Sequence, residues 1–139
     1  MTYAPEWSMV APDAREALSA RRAIRSFLAA QADEASDLDA VELIVGELVG
    51  NVVKHAPGAI GLHVSWCGAG ATLIVADRGP GIPSLRRVPD AAATGGRGLF
   101  LVEALALRVR IENTPGAGAR VVVDLPVRRN AASRSSRGD

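Results

Sequence analysis

The feature that most constrains this chain is a change in the period of its apolar residues at Pro57-Gly58. Before that point they recur at helical spacing, and after it they alternate with a period of two. Such an order predicts helices that cover a sheet. Pro12 to Glu16 reads as a helix start, with Asp13 capping and Glu16 three residues on. Ala17, Ala20, Ile24, Phe27 and Leu28 form its stripe, which ends at the polar Gln31. Ser36-Asp37-Leu38-Asp39 opens a second helix with an apolar face of Val41, Ile44, Val45, Leu48 and Val52, stopped by Pro57-Gly58.

Beyond the break, Ile60, Leu62, Val64 and Trp66 alternate with Gly61, His63, Ser65 and Cys67, the pattern of a half-buried strand. Gly68-Ala69-Gly70 turns the chain into Ala71 to Ala76, a run apolar enough for a central strand covered on both faces. Residues 78–98 read as a loop, Leu99 to Leu105 as a short helix, and Leu107 to Ile111 and Arg120 to Leu125 as two further strands. A weaker strand signal lies around Trp7 to Val10. Hairpins separated by a helix predict an α/β (α+β) two-layer sandwich, with helices on one face of a mixed, largely antiparallel sheet. One domain is expected over residues 1–126, followed by a disordered Arg/Ser tail over 127–139, where Arg128, Arg129, Arg134 and Arg137 meet only Asp139.

Only 4 % of the 139 residues are aromatic, so the core must be mainly aliphatic. A chain of this length buries roughly two-thirds of its unfolded surface without cross-links, and the lone Cys67 allows no intrachain disulfide. A net charge of +1 gives no support for nucleic-acid binding. The first ten residues lack a signal-peptide pattern, and no apolar run approaches the ~18 residues of a membrane span. The expected location is the cytoplasm, with no membrane partner.

Three clusters carry the candidate chemistry. Glu47, Asn51 and Lys54 are four and three residues apart on the second helix, beside its apolar stripe. They offer a base, a magnesium ligand and a phosphate contact, or form an exposed polar strip. Asp77-Arg78-Gly79-Pro80-Gly81-Ile82 places a carboxylate after a buried strand, with glycines that admit a flat ring. A capped turn uses the same residue types. Thr94-Gly95-Gly96-Arg97-Gly98-Leu99 runs glycines into a helix start, where backbone N–H groups favour anions. The alternative there is a flexible connection. No P-loop and no dinucleotide-binding glycine motif is present.

In this order and spacing, the clusters resemble the GHKL (Bergerat-fold) ATPase superfamily. Glu47 to His55 resembles its N box, Asp77-x-Gly-x-Gly its first glycine box, and Gly96-x-Gly-Leu99 its second. The resemblance covers roughly residues 14–126 and implies the Bergerat ATP-binding fold with ATP and Mg²⁺ as cofactors. It implies that Asn51 binds magnesium and that Asp77 holds the adenine amine, with Gly79 and Gly81 beside the base. The backbone at Gly96 and Gly98 would receive phosphates, and Lys54, Ile82, Gly95, Arg97 and Leu99 complete the expected cofactor-binding set.

A single compact domain with Glu-x-x-x-Asn on its helix is most similar to the anti-sigma-factor serine/threonine kinases. That branch implies Glu47 as the general base, phosphorylation of a serine or threonine on an antagonist protein, and capture of a sigma factor. Relatives pair, so a homodimer is a further expectation. The alternative function is a nucleotide-binding interaction module without kinase activity. Two departures from the family are visible. Gly118-Ala119 stands where many relatives have Gly-Thr, and the segment between the glycine boxes offers arginines but no lysine. Arg21, Arg22 and Arg25 are candidates for gripping an acidic partner, or simply line a solvated helix face.

Overall fold

The computed structural model describes residues 6–9, 14–55, 60–77, 96–114 and 118–131. Its elements run β1 (Glu6–Met9), α1 (Ala14–Ala29), α2 (Leu38–His55), β2 (Ile60–Cys67), β3 (Gly70–Asp77), α3 (Gly96–Leu105), β4 (Arg108–Thr114) and β5 (Gly118–Leu125). The strands form one five-stranded sheet in the order β1-β2-β3-β5-β4. The expected two-layer sandwich is present, and every described strand pair is antiparallel. Among the described residues no strand pair is parallel, as a mixed sheet would require. β4 does run parallel to β3, but β5 folds back between them and takes both as antiparallel neighbours.

Two capping features fix the start of α2. The Ala40 amide donates to Asp37 Oδ1 at 3.0 Å, and the Val41 amide donates to the Asp37 carbonyl at 3.2 Å. The side chain of Asp37 thus satisfies one of the donors that a helix start leaves open, and its carbonyl accepts the first bond of the helix itself. The hairpin between β2 and β3 turns at Gly68, whose φ of 63° lies in the left-handed region that glycine enters without strain.

The core lies between the helices and one face of the sheet. Ile24 and Leu28 of α1, Val41, Ile44, Val45 and Leu48 of α2, and Val102 of α3 are fully buried. They meet Leu62, Val64, Leu73, Val75, Val121, Val123 and Leu125 of the sheet. Each such aliphatic side chain contributes about 1.5–3 kcal/mol by leaving water, which is how a chain poor in aromatics holds together. Of the helical stripes read from sequence, Ala20, Ile24, Leu28, Val41, Ile44, Val45 and Leu48 are buried, and Ala17 and Phe27 are half-buried against the same core.

Three expectations change. β3 is central, but only one of its faces is buried: Ala71, Leu73 and Val75 are covered, whereas Thr72, Ile74 and Ala76 are half-buried. No described helix crosses that second face, and Ile74 is flanked there by His63 and Val122 on the neighbouring strands. The third helix starts at Gly96 instead of Leu99, so residues 96–98 are helical and not part of the loop.

The chain is also held past Leu125, where a tail was expected from residue 127. Val127 and Arg129 are 5 % and 4 % exposed. The Asp33 amide donates to the Arg128 carbonyl at 2.8 Å, the Arg129 amide to the Ala69 carbonyl at 2.7 Å, and the Asn130 amide to the Gln31 carbonyl at 2.7 Å. These bonds tie the segment to the α1–α2 connection and to the β2–β3 hairpin. Residues 132–139 of the expected tail lie outside the described residues.

Candidate functional site

The topology determines which ends of the elements meet. At its start, α2 is tied to the far end of the sheet, where the Asp37 amide donates to the Pro126 carbonyl at 2.9 Å. At its finish, His55 is five residues before Ile60, and Ile60 pairs with Asp77. A connection that short keeps the C-terminal end of α2 near the Asp77 end of β3. The last turn of α3 leads through Leu107, whose amide bonds the Asp124 carbonyl at 2.9 Å, at the opposite end of the sheet. With 10 residues, α3 is about 15 Å long. It buries Val102 in the core, packs against α2, and so points its N-terminus back toward the Asp77 end. The elements that carry the three sequence clusters converge at one end of the sheet.

On α2, Glu47 is half-buried. Its neighbours one turn back are the exposed Leu43 and the fully buried Ile44, and Leu48 beside it is also fully buried. The carboxylate therefore sits at the edge of the core, as the helical spacing predicts. Among the described residues no hydrogen bond or ion pair holds it. Next to it on the helix, a Cβ built on Gly50 would meet nothing within 4 Å. A side-chain acid at the rim of a core, beside open helix surface and with no partner of its own, has room to receive a ligand proton.

Asn51 and Lys54 lie on the backbone of α2, one and two turns beyond Glu47, and Asp77 is the last residue of β3. Gly96, Arg97, Gly98 and Leu99 form the first turn of α3. That places backbone N–H groups at a helix N-terminus, a favourable environment for phosphate oxygens. Gly79, Gly81, Ile82 and Gly95 lie outside the described residues. Among the described residues no group of three or more His, Cys, Asp or Glu side chains is arranged to hold a metal by itself. No described helix is long and apolar enough to cross a membrane.

Sequence reasoning missed what the arginines of α1 do. Arg25 donates to Asp39 Oδ1 at 2.7 Å and to Glu42 Oε2 at 2.6 Å, and Arg21 lies 3.7 Å from Glu42. The bonds to Asp39 and then Glu42 raise the Arg25 pKa above its ordinary value. Two of the three arginines considered for an acidic partner are thus joined to acidic residues of α2. Arg21 also lies across Gly46, its Cδ 3.4 Å from where a Cβ would stand. The signal was available in the sequence, since Asp39 and Glu42 are one turn apart on the helix that α1 must pack against.

Two cavities, of about 480 Å³ and 310 Å³, lie at the other end of the sheet, and both are lined by Gly70 and Leu107. They lie at the Gly70 end of β3, opposite Asp77, and none of their lining residues belongs to the three clusters.

A family model described as the histidine kinase-like ATPase domain matches residues 10–125. No curated protein matches the chain. The matched span runs from before α1 to the end of β5 and takes in every element described above except the short β1. That match covers most of the 139 residues, and the chain belongs to the histidine kinase-like ATPase domain family.

Proposed function

We propose that the chain binds ATP with Mg²⁺ at the end of the sheet where α2, β3 and α3 converge, and transfers the γ-phosphate to a serine or threonine of an antagonist protein. The family match supports ATP as the ligand. The observation that carries the transfer step is the half-buried Glu47, at the edge of the core and four residues before Asn51 on the same helix. A domain that only holds nucleotide needs no unpartnered carboxylate there.

In this reading Asp77 accepts a hydrogen bond from the adenine amine at the end of β3. The first turn of α3 receives phosphate oxygens on the backbone N–H groups of Gly96 to Leu99. Asn51 ligates Mg²⁺, which when bound neutralises charge on the phosphate oxygens. Glu47 accepts the proton of the attacking hydroxyl, so that the oxygen can bond to the γ-phosphorus as the bond to the departing diphosphate breaks. The rest of the rate enhancement comes from positioning, as is usual in phosphoryl transfer. The partner protein supplies the hydroxyl, and a sigma factor captured by the same chain is the regulatory output.

The test is calorimetric titration of a non-hydrolysable ATP analogue, with and without Mg²⁺, into wild type and Asp77→Asn. Magnesium-dependent binding that the variant loses is the expected result. An absence of binding by wild type would overturn the reading and favour an interaction module. With an identified antagonist protein, Glu47→Gln is expected to keep binding and lose transfer. Full transfer by that variant would remove Glu47 as the base.

A further inference from the structure

Leu107, in the short link between α3 and β4, is 71 % exposed, the most of any large apolar side chain described. It lines both cavities at the Gly70 end of the sheet, and Gly70 lines both as well, so the two hollows adjoin. A Cβ built on Gly70 would meet nothing within 4 Å, which leaves open space over the residue they share. The larger cavity, about 480 Å³, is mainly apolar, with Ala35, Pro126 and Val127 among its walls. The smaller, about 310 Å³, is lined by the buried Ala71 and Leu125 and by two polar residues, Thr72 and Asp124. Both volumes fall in the range of small-molecule sites, roughly 300–1,000 Å³.

The polar pair gives the hollow a chemical preference. Thr72 Oγ1 donates to Asp124 Oδ1 at 3.4 Å, a long bond that leaves most of the carboxylate's accepting capacity unused. Arg108 is the cross-strand neighbour of Asp124 on β4, yet among the described residues no ion pair joins the two. In the larger cavity, Arg128 is balanced by Asp37. Asp124, half-buried, is therefore the charge that sets the sign of a ligand. A carboxylate with capacity to spare beside apolar walls favours a cation that carries its own apolar body.

We propose that the adjoining hollows bind a small amphiphilic amine. Its ammonium group donates to the Asp124 carboxylate and to the Thr72 hydroxyl, which can accept while it donates to Asp124. Its aliphatic tail passes Leu107 and Gly70 into the larger cavity. The site lies at the end of β3 opposite Asp77, so it stands independently of the nucleotide reading.

The test uses the full chain with octylamine, octanol and octanoate, which share an apolar tail and differ in head group. Followed by backbone amide NMR shifts, octylamine should saturate in the millimolar range, as suits a ligand of this size. The largest shifts should fall at Gly70, Thr72, Leu107 and Asp124. Octanol should bind at least about tenfold more weakly, and octanoate, which meets like charge, should not bind. Asp124→Asn should erase the preference for amine over alcohol and leave octanol binding intact. Leu107→Ser, a change at an exposed position, should weaken both ligands. Octylamine should also slow alkylation of the exposed Cys67, which lines the smaller cavity. Four results would each overturn the proposal: no saturable shift with octylamine, equal affinity for the three head groups, an amine preference that survives Asp124→Asn, or shifts centred elsewhere in the chain.

Discussion

The Arg129 guanidinium carbon lies 5.1 Å from the centroid of the Trp66 ring. Trp66 ends the apolar alternation of β2 and is only partly buried by the core, so the arginine supplies the cover that the helices do not. The stacked pair joins a tryptophan from the apolar alternation of a strand and an arginine that sequence reasoning assigned to a tail.

Arg129→Ala should therefore behave as a core substitution. Loss of the cation–π contact and of the packed arginine stem is expected to cost about 1–2 kcal/mol. A melting temperature lowered by several degrees, together with a change in Trp66 fluorescence, is the expected reading. An unchanged melt would mean that the backbone bonds of residues 128–130 hold the segment alone.

Asp37→Ala should lower stability by about 1 kcal/mol, because the Ala40 amide loses its capping acceptor. Asp37→Asn keeps an acceptor oxygen and should recover most of that loss. Denaturant unfolding of the two variants beside wild type decides the point. Equal stability of the alanine and asparagine forms would show that the bond from the Ala40 amide does not contribute.

Gly46 and Gly50 lie four residues apart on α2, and alanine should affect them differently. At Gly50 a Cβ meets nothing within 4 Å. Gly50→Ala should thus gain most of the helix-propensity difference, up to about 1 kcal/mol. At Gly46 the Cβ presses on the Arg21 side chain at 3.4 Å, which must give way and disturb its approach to Glu42. Thermal melts should rank Gly50→Ala above Gly46→Ala, and the reverse order would contradict the packing described.

The hydrogen bond from Arg120 lowers the Glu112 pKa below its ordinary value of 4.5. Because the folded value is the lower one, the interaction favours the folded state at pH above the ordinary glutamate range. That contribution fades as pH falls and is gone once Glu112 is protonated in the fold. A carboxyl NMR titration should place the Glu112 midpoint below 4.5, and Arg120→Ala should move it upward. A midpoint that does not respond to the substitution would assign the shift to some other cause.

Features set by local pattern were legible in the sequence. Ile24 and Leu28 recur at helical spacing and are buried, Asp37 is the cap it resembles, and Glu47 sits at the rim where its spacing beside Ile44 puts it. Features that depend on distant partners were not. Ile74 resembled a residue covered by a second layer, yet its cover comes partly from Val122, a neighbour created only when β5 inserts beside β3. Arg129 stands among arginines and serines that suggest a solvated end, and nothing nearby in the chain points to Trp66. The arginines of α1 were read as one surface, although Arg21 and Arg25 turn toward α2. Of the candidate site, Gly79, Gly81, Ile82 and Gly95 fall outside the described residues, and Glu47 is the member whose surroundings are described.

The insertion of β5 between β3 and β4 also bears on how the chain is made. β4 leaves the ribosome before β5, but its described strand partner is β5 alone. Until Gly118–Leu125 emerges, β4 lacks its described partner and β3 lacks its described second neighbour. Completion of the sheet must then wait for the last strand, long after α1 and α2 have had time to form. Pairing between segments so distant in the chain is slow compared with helix formation. An interrupted translation product that ends before residue 118 would expose a half-built sheet and a seven-residue unpaired strand, the kind of species that chaperones engage.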